Sequence, residues 1–147
     1  LSFDAYNYAS SLSTHSDKVK SFLMRGGAIA WGIVPNDEEV LAEFSAVEQV
    51  NNQAADCILI VGSDPFSALP QSLLGKLQGV DIICLDHFST LTSEAADVVI
   101  TAAVPGVESS GNVVRLDGDK IALADPIKDG YPTQEAILRQ LLEKVQP

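Results

Sequence analysis

Apolar runs recur along the chain at intervals that leave room for other elements between them. Residues 1–6 (LSFDAY), 27–34 (GAIAWGIV), 55–62 (ADCILIVG), 80–86 (VDIICLD) and 96–101 (ADVVIT) each read as a strand, being short and dominated by residues that suit a pleated surface. Between the first four, the period changes. In residues 18–25, Val19, Phe22 and Leu23 fall at i, i+3 and i+4, and Gly26 and Gly27 supply a stop. After Pro35, Asn36 and Asp37 are cap candidates for a helix carrying Val40, Leu41, Phe44, Val47 and Val50. Residues 67–77 predict a third helix, stopped near Gly79.

Strands separated by helices require crossover connections, and a run such as CILIV, apolar on both faces, suits a parallel sheet covered on both sides. The expected fold class is α/β: a doubly wound, mainly parallel sheet of Rossmann-like or flavodoxin-like type, with about five strands. The tail has a different pattern. Residues 112–116 and 120–124 predict a β-hairpin around Asp117, Gly118 and Asp119. Residues 133–145 predict a last helix with Ala136, Ile137, Leu141 and Leu142 on one face. No internal repeat or linker interrupts the chain, so residues 1–147 are expected to form a single domain.

Composition narrows the function classes. Of the 147 residues, 46% are hydrophobic and 20% charged, a globular balance, and no apolar run approaches the roughly 20 residues that span a bilayer. Nine Lys and Arg stand against twenty Asp and Glu, a net charge of -11, and the cations form no stripe, so neither nucleic acid nor membrane is expected as a partner. The chain opens on Leu1 with no basic or apolar leader, which predicts a cytoplasmic protein with a trimmed start. Cys57 and Cys84 lie inside apolar runs and are expected to be reduced core residues. No CxxC or Cys/His spacing offers a metal site.

In open parallel sheets, ligands sit beyond the carboxyl ends of the strands where strand order reverses. The residues delivered there are Asp4, the 35–37 turn, Gly62, Ser63, Asp64, Pro65, Asp86, His87 and the loop from Pro105 to Gly111, which includes Glu108. An aspartate at such a place has two readings. Its two oxygens match the N1–H and 2-amino donors of guanine, and they equally cap a following helix or turn. Asp4, Asp64 and Asp86 would make a Mg²⁺ pocket only if their strands were adjacent. His87 beside Asp86 could orient a nucleophile, but GxSxG, GxGxxG and the P-loop pattern are all absent.

From Glu43 to Val145 the chain resembles the last part of the B subunit of formylmethanofuran dehydrogenase and, more broadly, the second nucleotide-binding domain of molybdopterin oxidoreductases. The stretches that carry the likeness are EFSAVEQVNN (43–52), ADCILIVGSDPFSALPQ (55–71), VDIICLDHFSTLTSEAADVVITAAVPGVESSGNVVRLDGDKIAL (80–123) and TQEAILRQLLEKV (133–145). The resemblance implies that Gly62, Ser63, Asp64, Pro65, Asp86, Thr90 and Thr92 lie along the guanosine end of a molybdopterin guanine dinucleotide. It also implies that the loop holding Glu108 packs over that cofactor. The chain departs from the family at Gly111-Asn112, where Gly-Thr is usual, and near Thr101, where a proline is usual. The cysteine or selenocysteine that ligates the metal and the iron–sulfur cysteines are not in this sequence.

Residues 1–42 are similar to something else. LSFDAYNYASSL and KVKSFLMRGGAIAWGIVPNDEEVLAE resemble a strand-helix-strand piece of the barrel shared by cobalamin-independent methionine synthase and uroporphyrinogen decarboxylase-like proteins, without their zinc ligands. Together the two resemblances imply a chimera joined near residues 40–45. Such a chain would be a non-catalytic folded scaffold, with no catalytic residue, no cofactor of its own and no metal, the dinucleotide belonging to the resembled parent family. The alternative is a binding module that keeps weak affinity for the guanosine end of the dinucleotide. A sheet edge left bare, or the apolar surface that once faced lost domains, would offer a route to a homodimer.

Overall fold

The computed structural model describes residue 52 and residues 55–115, 119–127 and 130–145. The strands expected at 1–6 and 27–34, the helices between them and the junction near 40–45 lie outside the described residues. So does the centre of the Asp-Gly turn. The described residues fall into two compact units, one ending at Thr101 and the other beginning at Ala102.

The first unit is built on a parallel sheet of three strands, β1 (Cys57–Val61), β2 (Asp81–Asp86) and β3 (Val98–Thr101), in the order β1-β2-β3. Cys57 pairs with Asp81 and Val61 with Leu85; on the other side, Ile83 pairs with Val98 and Asp86 with Thr101. β2 is central and carries the core. Cys84 and Leu85 are both fully buried, and because neighbouring side chains on a strand point to opposite faces, β2 is covered on both. The expected parallel sheet is therefore present, with three strands among the described residues and an order that does not reverse within them.

Not every apolar residue goes inside. Cys57, expected in the core, is exposed because it opens β1 at the sheet's rim, while Cys84 is buried. Burial pushes the Cys84 thiol above its ordinary pKa, and the nearby carboxylates of Asp86 and Asp64 add to that. Val98 and Val99 of β3 are each about half exposed (49% and 50%). At the start of the β2–β3 pair Asp97 ties itself twice, its N–H donating to the Ile82 carbonyl at 2.9 Å and its Oδ2 accepting the Ile82 N–H at 2.9 Å.

The helix expected over 67–77 is three short pieces: α1 (Pro65–Ala68), α2 (Gln71–Leu74) and a 3-10 turn over Gly75–Leu77. Pro70 is the cause. Its ring forces the preceding residue out of the helical region, and Leu69 is extended at φ -85°, ψ 144°. Between β2 and β3 runs a helix the apolar pattern does not announce, α3 (Leu91–Ala95), begun by a reciprocal cap. Thr90 Oγ1 accepts the Ser93 N–H at 3.2 Å, and Ser93 Oγ accepts the Thr90 N–H at 2.8 Å.

The second unit holds the predicted hairpin and last helix. β4 (Gly111–Val114) and β5 (Lys120–Leu123) are antiparallel, with Gly111 opposite Leu123 and Val114 opposite Lys120. α4 (Gln134–Val145) begins after Thr133, whose Oγ1 accepts the Ala136 N–H at 3.0 Å. Leu138 is fully buried, with Ala136, Ile137, Leu141 and Leu142 half-buried around it. In this unit, too, the loop holding Glu108 is closed on itself. Glu108 Oε2 accepts the Val104 N–H at 2.9 Å while the Glu108 N–H donates to the Val104 carbonyl at 2.8 Å. Gly130 lies so close that a Cβ there would stand 2.8 Å from Cβ of Glu108, so no larger residue fits without movement.

Candidate functional site

The candidate site is at the carboxyl ends of the three parallel strands, where the resemblance places a ligand. β1 ends at Val61, and the chain turns at once at Gly62, whose φ of 56° lies in the left-handed region that a side chain disfavours. The Gly62 N–H donates to the Leu85 carbonyl at 2.9 Å, carrying the β1–β2 ladder one residue further. Ser63 follows, and Asp64 precedes Pro65, which opens α1 at a position where a missing N–H is harmless.

Asp64 is tied to Thr92. Its Oδ1 accepts both the Thr92 N–H at 3.0 Å and the Thr92 hydroxyl at 2.6 Å, and Thr92 Oγ1 in turn accepts the Phe66 N–H at 3.1 Å. Thr92 is fully buried, so this knot closes off its polar atoms and fastens α3 to the loop after β1. The Thr92 hydroxyl is the main reason the Asp64 carboxyl titrates below its ordinary value; partial burial opposes the shift, and the Thr92 amide and Ser67 support it. Asp64 is thus held ionised by partners inside its own fold.

Asp86 is placed differently. It is the last residue of β2, 7% exposed, and its Oδ1 accepts the His87 N–H at 2.7 Å. It lines a cleft of about 340 Å³ together with His87, Phe88, Ser89, Ser93, Glu94, Val99 and Thr101. His87 Nδ1 lies 3.4 Å from Asp86 Oδ1 and is buried with no hydrogen-bond partner. Its ring meets Phe88 edge-on at 4.4 Å, while Phe88 itself is 61% exposed at the cleft wall.

Of the seven residues the resemblance singles out, Asp86 therefore lines the cleft. Asp64 and Thr92 are bonded to each other, Thr90 caps α3, and Gly62, Ser63 and Pro65 shape the turn into α1. The cleft also uses residues that neither motif nor resemblance assigned: Phe88, Ser89, Ser93, Glu94, Val99 and Thr101. A legible sign was available for one of them, since Phe88 is a large aromatic in a short polar strand-to-helix connection, where it has no core to join. A third aspartate for a Mg²⁺ pocket, Asp4, lies outside the described residues. Among those residues, no group of three or more His, Cys, Asp or Glu is placed to hold a metal, and no helix is long and apolar enough to cross a membrane.

The cleft is lined by the buried carboxylate of Asp86 and by the exposed aromatic ring of Phe88. That combination suits a flat ligand with hydrogen-bond donors along one edge, stacked on Phe88 and donating to Asp86. No family model matches the chain. It is similar to the B subunit of the tungsten-containing formylmethanofuran dehydrogenase 2 of Methanocaldococcus jannaschii, 32% identical over 106 residues that make up 70% of this chain and 24% of that protein. The B subunit of the tungsten-containing formylmethanofuran dehydrogenase 2 of Methanococcus maripaludis is 30% identical over 92 residues, 61% of this chain and 21% of that protein. The chain thus carries a partial likeness to this enzyme's B subunit and spans about a quarter or less of the curated relatives it matches.

Proposed function

We propose that residues 43–145 are a non-catalytic binding module on a doubly wound, Rossmann-like sheet, and that it takes the guanosine end of a molybdopterin guanine dinucleotide. The observation that carries this reading is Asp86, at the carboxyl end of the central strand and facing a cleft of about 340 Å³, within the volume range of small-ligand sites. Its carboxylate would receive the N1–H and 2-amino donors of guanine, and Phe88 would take the base on its ring face. The group fits on the chemistry of these residues: the cleft presents the Asp86 carboxylate to a donor edge, and Ser89 and Thr101 supply hydroxyls for a sugar. When bound, the dinucleotide supplies the metal and its dithiolene ligands, while this chain's own side chains hold the base in orientation.

Partial similarity to the B subunit of a tungsten-containing formylmethanofuran dehydrogenase supports the same reading. The test is titration of GMP into isotopically labelled full-length chain, with AMP as the comparison. Saturable amide shifts from Asp86 to Ser93 with GMP, weaker with AMP and lost in Asp86→Ala, are expected. Equal responses to GMP and AMP, or no response from a well-dispersed spectrum, would overturn it.

A further inference from the structure

We infer that the amino-terminal end of α4, together with Gln134, forms a binding site for a phosphate group, built from different residues than the cleft at Asp86. α4 runs for 12 residues, long enough for its aligned peptide dipoles to leave partial positive charge at the first turn. Thr133 takes two of the amides there: its Oγ1 accepts the Ala136 N–H at 3.0 Å and its carbonyl the Ile137 N–H at 3.1 Å. Helix geometry provides no intrahelical acceptor for the N–H groups of Gln134 and Glu135.

The second observation is independent of the helix end. Gln134 is 5% exposed, and its Nε2 is buried with no hydrogen-bond partner. Native structures retain few such donors, and each calls for an account of what it meets. Gln134 lines a cavity of about 80 Å³ together with Ser109, Ser110, Asn112, Thr133 and Glu135, which form its polar side; the rest of its wall is largely apolar. Holding one water takes roughly 10–15 Å³ of such space, so this cavity accommodates a larger polyatomic group. What Gln134 Nε2 lacks there is an acceptor. A phosphate presents several acceptor oxygens to amide and hydroxyl donors, which is the complement of the amide and hydroxyl groups on the polar side of this cavity. Glu135 brings a negative charge to the same place, and the Arg139 guanidinium compensates it, with Nη2 donating to Glu135 Oε1 at 3.0 Å.

The experiment is a titration of inorganic phosphate into the labelled full-length chain, with ionic strength held constant by sodium chloride. The backbone amides of Gln134 and Glu135 and the side-chain amide of Gln134 are followed. Saturable shifts there, weakened about tenfold or more in Gln134→Leu and unchanged in Asp86→Asn, are the expected result. A flat titration, as when water alone satisfies Nε2, overturns the inference, and so does binding that survives Gln134→Leu unchanged. Should Gln134→Leu fail to fold, Gln134→Glu keeps the side chain's size while replacing donor with acceptor; phosphate shifts that persist in it also overturn the site. Failure here leaves the GMP response at Asp86 to Ser93 untouched, so the two proposals stand or fall separately.

Discussion

β1 and β2 are hydrogen-bonded neighbours that end side by side, Val61 opposite Leu85, and each delivers an aspartate at or just past its carboxyl end. The loop after β1 ties its aspartate to its own fold: Asp64 is bound by the amide and hydroxyl of a fully buried threonine. The loop after β2 leaves Asp86 beside a cleft, with the His87 amide donating to it. Residue type and strand position are nearly the same in the two loops. What separates them is the partner, and Asp64 has one because α3 places Thr92 against it. A carboxylate engaged by donors from a distant segment of its own fold builds structure, whereas one that lines a cleft is available to a ligand.

The sharpest way to break this contrast is to remove the knot. Thr92→Val keeps the shape and deletes the hydroxyl, leaving the Phe66 N–H without its acceptor and Asp64 without its strongest donor; a loss of about 1–3 kcal/mol in denaturant unfolding is expected. If the stability of this variant matched the parent, Asp64 and Asp86 would no longer differ in kind. Asp86→Asn is the mirror experiment. Its Oδ1 can still accept the His87 N–H, so stability should change by less than about 1 kcal/mol, while the GMP response falls about tenfold or more. Phe88→Ala sharpens the picture of the cleft: an exposed side chain contributes little to folding, but loss of a stacking face should weaken GMP by about 1 kcal/mol or more.

The pH dependence of stability separates the two aspartates from another direction. Asp64 has a folded pKa below its ordinary value of 3.8, so it contributes stability that is complete above that value. That contribution is lost as pH falls from 3.8 through the lowered folded value. Asp64→Asn should therefore flatten the acid limb of the stability profile, seen as a smaller drop in melting temperature below about pH 4. The smallest effect belongs to Ser67→Ala. Its hydroxyl donates to the Asp64 carbonyl at 2.9 Å on an exposed turn, and a change within about 0.5 kcal/mol is expected.

How much of this is legible in the sequence depends on the kind of signal. β1, β2, β3 and both hairpin strands lie within the apolar runs or one residue beyond them, because burial selects apolar residues and the runs are bounded by turn formers. The last helix begins one residue after its expected start because Thr133 caps it from outside. The single helix expected over 67–77 is broken for a reason present in the sequence, Pro70, whose effect on Leu69 outweighs the apolar spacing. α3 leaves no periodic signature because one short turn has no room for a stripe, and its cap uses serine where glutamate is the familiar sign. The site is legible only as residue types. That Asp64 is bonded across 28 residues to Thr92, or that the Gln134 amide has no partner, depends on contacts between segments that no local pattern encodes.

The ring closed between Val104 and Glu108 has a further consequence. Apart from the Val107 carbonyl, which accepts the Ile127 N–H at 2.9 Å, the hydrogen bonds that set this bend lie within the segment, so it needs little from its surroundings to keep its shape. Its geometry should be portable: residues 104–109 could be transplanted into another surface connection and retain their bend, provided the incoming neighbour at the place of Gly130 is equally small.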